Sequence, residues 1–193
     1  MTELRLAQVV VTEGQRDSLI SKGIARFTGS WATHVFISGW GSGGVEAWLP
    51  KVKPLDVAER LEELRSQDRA YVVLDLPSLT IKQRMAIVAK AESYIGRYYD
   101  VGQILLFALT GKFWSDGPGT LVCSRLITAA YFSGAEENLF DDLTLGTKYP
   151  LTFPRIGNLR RGYAVPSDLL NSRLEVVQFV PSSHIKSIEQ FRL

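Results

Sequence analysis

The sequence predicts an α+β fold, on three observations. β-rich and helix-periodic segments follow one another without strict alternation. Two β-rich runs flank a glycine-rich hexapeptide, as in a hairpin. A chain of 193 residues that is 46 % hydrophobic and 10 % aromatic can build a sizeable core. In chain order, Leu6–Val11 reads as a short strand, and Gln15–Phe27 carries Leu19, Ile20, Ile24 and Phe27 at helical spacing. Thr33–Ser38 and Val45–Leu49 read as the two hairpin strands around Gly-Trp-Gly-Ser-Gly-Gly. Leu55–Ser66 reads as a helix and Tyr71–Leu76 as a strand that stops at Pro77. Thr80–Ile95 is a helix with Ile81, Met85, Val88 and Ala89 inward and Gly96 as its stop. A further helix is expected through Ile104–Leu109. Another follows Gly117-Pro-Gly, with Thr120 as N-cap and Leu126, Ile127 and Ala130 inward. Pro166-Ser-Asp-Leu-Leu starts a short helix, Leu174–Val180 is a strand, and Ser183–Phe191 closes helically.

Composition narrows the chemistry. There is one cysteine, so neither an intrachain disulfide framework nor a multi-cysteine metal site is available. Two histidines, His34 and His184, are too few for a histidine-rich metal cluster, and no metal or cofactor is expected. A net charge of +2 gives no electrostatic footprint for nucleic acid. The longest apolar stretch, Val101–Thr110, is half the roughly 20 residues of a spanning helix, and no transmembrane segment is expected. The N-terminal residues carry no secretory signal pattern, so a cytoplasmic location is the expectation, with non-classical export or packaging in a virus particle as alternatives. The short Gly/Pro clusters, including Tyr149–Pro154, read as turns or active-site loops, and no repeat or linker divides the chain.

The thiol is the one nucleophile of its kind. With Thr120 as N-cap, Leu121, Val122 and Cys123 occupy the first helical turn, where unpaired N–H groups and the helix dipole favour a thiolate. The same N–H groups suit the oxyanion of a tetrahedral intermediate. A lone cysteine among Leu, Val and Ile equally suits buried packing. A general base has to be His34 or His184. Alternation along the strand turns His34 away from Val35 and Ile37, beside Phe36 and Ser38. His184 reads as a solvated helix start. Glu46, on the second hairpin strand, is the acidic residue nearest His34 in sequence and the candidate to orient the imidazole. As a bare strand residue it is expected to face solvent.

Thr33-His-Val-Phe-Ile followed by Gly-Gly-Val-Glu46-Ala resembles the histidine hairpin of the papain-like NlpC-type amidases and peptidases. Leu121-Val-Cys-Ser-Arg-Leu-Ile-Thr-Ala-Ala-Tyr131 is similar to their cysteine helix. His34 precedes Cys123 by 89 residues, and this reversed order resembles the circularly permuted, YiiX-like branch. Gly96-Arg-Tyr-Tyr99-Asp100 and Pro166-Ser-Asp-Leu169 match further motifs of that branch. Its Gly-Asp-(Ile/Val)-Leu opening is missing, with Ala7-Gln-Val-Val-Val in its place.

The resemblance implies a single permuted papain-like hydrolase domain over residues 1–193, a small antiparallel sheet packed on helices with the nucleophile at a helix N-terminus. It implies Cys123 as nucleophile, His34 as base and then acid, and Glu46 as the orienting residue. Tyr99 and Ser124 are the substrate-binding candidates. The implied reaction is hydrolysis of a peptide or isopeptide amide, peptidoglycan included, through an acyl-thioester. Two alternatives stand beside it. Lecithin retinol acyltransferase-like proteins share the order, and Ile104–Leu109 with Phe113-Trp114 would suit an acyl chain. The cysteine motif lacks their Asn-Cys-Glu-His-Phe pattern. The other alternative is a non-catalytic binding module on the same fold.

Overall fold

The computed structural model describes residues 4–100, 102, 120–137, 139 and 166–192. The strands β1 (Val9–Glu13), β2 (Ala32–Ser38), β3 (Gly43–Ala47), β4 (Val52–Asp56), β5 (Tyr71–Asp75) and β8 (Glu175–Val180) form one antiparallel sheet in the order β4-β3-β2-β1-β5-β8. Two-residue strands β6 (Tyr98–Tyr99) and β7 (Thr120–Leu121) pair in parallel beside it. The helices are α1 (Leu19–Thr28), α2 (Val57–Ser66), α3 (Ile81–Glu92), α4 (Cys123–Ala135), α5 (Pro166–Leu169) and α6 (Ile188–Arg192). The α+β class stands.

Helices cover both faces of the sheet. On one face Val9, Val11, Val35, Ile37, Val45, Val72 and Leu74 pack against Ile87, Val88 and Ala91 of α3 and Leu126, Ile127 and Ala130 of α4. On the other, Val10, Phe36, Tyr71 and Val73 meet Val57, Leu61 and Leu64 of α2. All five residues of β1 and all seven of β2 are therefore buried. An antiparallel sheet with one wet face would alternate apolar and polar; this one has no wet face at its centre. That explains why the second face of β2 and β3, expected outward, lies inside the protein.

Several boundaries move for identifiable reasons. β1 begins at Val9 because Ala7 sits at φ 61° in a turn, and it continues through Thr12 and Glu13. The helix expected from Leu55 begins at Val57, because Asp56 is its N-cap and accepts from the Glu59 N–H at 3.0 Å. The preceding Val-Lys-Pro-Leu-Asp forms edge strand β4, where a proline and exposed charges are tolerated. In α1, Ile24 is buried but Leu19 is 83 % exposed. Thr80 closes a capping box with Gln83, and the inward face of α3 is Arg84, Ile87, Val88 and Ala91, with Ile81 and Met85, expected inward, exposed. The rotation follows Arg84, whose guanidinium reaches the buried Asp75 carboxylate at 2.7 Å and the carbonyls of Leu6 and Leu76. The C-terminal helix starts at Ile188 rather than Ser183, whose N–H is held by the Asp68 carboxylate.

Thr120 is not an N-cap. It pairs with Tyr98 in the short parallel ladder, and α4 starts three residues later, with Val122 at the cap position and no side-chain cap. Leu126, Ile127 and Ala130 point inward as expected. The segments Ile104–Leu109, Phe113-Trp114, Gly117–Gly119 and Tyr149–Pro154 lie outside the described residues.

α4 packs closely on α3 at Gly134. A Cβ there would stand 2.7 Å from Ile87 Cα and 2.8 Å from the Ala86 carbonyl oxygen. Backbone cannot yield as a flexible side chain can, so Gly134→Ala is expected to cost about 1–3 kcal/mol. A urea midpoint unchanged from wild type would contradict this contact.

Candidate active site

The hairpin sets the first two residues. Phe36 pairs with Glu46 across β2 and β3, which places His34 two residues farther along the same face. Glu46 is thus the diagonal neighbour of His34, within reach of a ring. His34 Nε2 donates to Glu46 Oε2 at 3.1 Å, with both side chains buried. Trp48 lies edge-on to the imidazole, its ring centroid 4.7 Å away and its plane at 85°.

Glu46 is held from three sides. Lys53, directly opposite on β4, brings Nζ to Oε1 at 3.2 Å. Arg60 of α2 brings Nη2 to Oε2 at 3.8 Å and stacks its guanidinium 5.2 Å from the Trp48 ring centre. Burial alone would raise the Glu46 pKa, but the His34 bond and charge, then Arg60 and Lys53, pull it down to about 2. Removing a carboxylate from water is costly unless it is paired, and here it is.

The third residue arrives from the helix layer. Cys123 is the first residue of α4, buried, and its thiol lies close enough to the His34 imidazole and the Tyr99 hydroxyl to shift the protonation of both. Since Nε2 is engaged by Glu46, Nδ1 is the ring nitrogen left to take a proton. Burial opposes protonation of His34, yet hydrogen bonds and charge from Cys123 and Glu46 together raise its pKa above the usual value. Burial, reinforced by Cys123 and Glu46, raises the Tyr99 hydroxyl well above its ordinary range and keeps it a donor. The β6–β7 ladder supports this placement: Tyr99 pairs with Leu121, two residues before the thiol.

The structure therefore brings together Cys123, His34, Glu46 and Tyr99. Ser124 is buried one residue along α4. His184 is exposed after β8, at the sheet edge opposite β4, next to the Ser183–Asp68 contact. Trp48, Lys53 and Arg60 escaped the sequence reading. Trp48 had a signal, since it lies two residues beyond Glu46 and so on the same face. Arg60 had none, because its approach depends on how α2 crosses the sheet.

A cavity of about 220 Å³ opens against the imidazole, lined among others by His34, Trp48, Tyr99, Thr33, Ser18 and Arg69.

No protein-family model matches the chain, and no curated protein does. A solved structure, metalloprotein yiiX from Escherichia coli O157:H7 (DUF1105), is similar with a TM-score of 0.64 at 17 % identity, over 92 % of this chain and 98 % of that one. The two share a fold. Identity this low carries the backbone arrangement and not a reaction. The description of that protein as a metalloprotein raises the question of donors here. Among the described residues, no group of three or more His, Cys, Asp or Glu side chains is arranged to hold a metal ion. The one cluster near the thiol has its carboxylate committed to His34, Lys53 and Arg60, so these residues do not fit a metal centre. Among the described residues, no helix is long and apolar enough to cross a membrane.

Proposed function

We propose that the protein is a cysteine hydrolase of the papain-like, NlpC-type kind in circularly permuted order, its 193 residues forming one catalytic domain. It would act on a peptide or isopeptide amide, with peptidoglycan as one such substrate. The observation that carries the reading is the buried imidazole of His34, bound through Nε2 to Glu46 and neighboured by the Cys123 thiol. A nucleophile, a base and a residue that orients the base are the parts that acyl transfer through a thiol requires.

In the proposed reaction His34 Nδ1 takes the thiol proton as Sγ attacks the amide carbonyl carbon. The oxyanion forms beside the N–H of Cys123, which has no acceptor within α4 because it is the first helical residue. The Tyr99 hydroxyl is the second donor on that side. His34 then gives its proton to the departing amine, leaving an acyl-thioester on Cys123. Water, deprotonated by His34, attacks the thioester; the acid leaves and the thiol is restored. Glu46 stays ionised throughout and holds the ring so that Nδ1 faces sulfur.

Intact-mass spectrometry of the protein quenched in acid after incubation with peptidoglycan fragments tests this. A mass increase on Cys123 equal to the acyl part of the fragment, reversed by hydroxylamine, is expected. An adduct from phospholipid instead would turn the reading to lipid acyl transfer. No adduct with either would leave a binding module.

A further inference from the structure

The cavity beside the imidazole has a charge of its own. Arg69, 95 % buried, forms part of its wall. Its guanidinium donates Nε–H and one Nη2–H to the Glu13 carbonyl oxygen and one Nη1–H to Gln67 Oε1. Among the described residues, two of its five N–H groups have no acceptor. The Glu13 carboxylate is itself occupied by the Arg16 guanidinium at 2.7 Å and the Ala70 N–H at 2.8 Å. Burial first, and then repulsion from Arg60, lower the Arg69 pKa to about 10 against the opposing pull of Glu13 and Glu63, and the group stays charged. The N-terminus of the ten-residue helix α1, which carries no acidic residue in its first turn, also lines the cavity. Its Ser18 and Ser21, with Thr33, supply hydroxyls to the same wall. A low-dielectric cavity with a buried cation, a helix N-terminus and hydroxyl donors favours an anion.

We infer that this cavity binds a carboxylate of the substrate, next to the acyl group that Cys123 receives. The inference rests on the hydrolase reading and narrows it: the preferred amides are those flanked by a free carboxylate, held on Arg69. Arg69 is then a specificity-determining residue. A neutral substrate of the same shape offers the guanidinium's remaining N–H groups no anionic acceptor.

Two alkylating probes of equal size test it, N-iodoacetylglycine and N-iodoacetylglycinamide. Each forms the Sγ–CH₂ thioether with loss of iodide, and they differ only in a carboxylate or carboxamide several bonds from the reacting carbon. Rates are measured on Cys123 by mass spectrometry and expressed against free cysteine. The wild-type protein is expected to prefer the anionic probe by about fivefold or more. Arg69→Gln is expected to abolish the preference and Arg69→Lys to restore part of it. Ser18→Asp keeps an N-cap acceptor, places a carboxylate in the cavity wall, and is expected to reverse the preference. It serves even if Arg69→Gln does not fold. No wild-type preference, or the wild-type ratio retained in either folded variant, overturns the carboxylate site. If the neutral probe reacts with the wild-type protein no faster than with free cysteine, the hydrolase reading fails instead.

Discussion

His34→Ala is expected to leave Cys123 reacting with iodoacetamide at pH 6 no faster than a free thiol, and to lower amide hydrolysis by roughly 10³-fold or more. Among the described residues, the imidazole is the base beside the Cys123 thiol. Removing it deletes the base, the later acid and the positive charge beside sulfur together. His184→Ala should change neither readout, because His184 is exposed beyond the far edge of the sheet. Circular dichroism controls for the fold: without His34, Glu46 still has Lys53 and Arg60. Full reactivity in the His34 variant, or its loss in the His184 variant, would reassign the base.

Glu46→Ala is expected to cost about 3–5 kcal/mol of stability as well as activity, the magnitude of breaking a buried ion pair from one side. His34 and the nearly buried Arg60 would each lose a carboxylate. The same carboxylate sets an acid dependence. Its folded pKa is about 2, against an unfolded value of 4.5. A depressed carboxylate stabilises fully above its unfolded pKa and loses that contribution as pH falls through the folded one. The difference corresponds to on the order of 3 kcal/mol, with about 2 kcal/mol of it gone by pH 3. His34 has the opposite sign: its raised pKa stabilises below about 6.5 and the contribution is lost as pH rises past the folded value. Urea unfolding at pH 3 and pH 6 separates Glu46 from the other carboxylates. The wild-type difference should shrink in Glu46→Gln by about 2 kcal/mol. Equal differences in the two proteins would place the acid sensitivity elsewhere.

The core elements were legible because their patterns are local. The hairpin announces itself through Gly39–Gly44, with Gly41 at φ 56° in the turn, and α3 through its helical apolar spacing and Gly96 beyond its end. The site was legible for a different reason, scarcity: with one cysteine and two histidines, the order of residues already reduced the choice to two pairings. What stayed hidden depends on the third dimension. Glu46 as a strand residue looked solvent-facing, and it is buried because α2 covers that face of the sheet. Thr120 had the composition of a cap, but Tyr98 captured its backbone in a ladder that no local pattern foretells. Arg69 reads as one more surface arginine until the Glu13 carbonyl and the cavity wall are seen around it. Edge strand β4, with Lys53 and Pro54, carries the residues that strand propensity disfavours, and yet it supplies a cation to Glu46.

The most direct measurement is the rate of iodoacetamide alkylation of Cys123 in the unmodified protein at pH 6, set against free cysteine under the same conditions. A thiol at the start of α4, beside an imidazole that Glu46 holds in place, should react at least about tenfold faster. A rate equal to or below that of free cysteine would mean that Cys123 is packing and not a nucleophile.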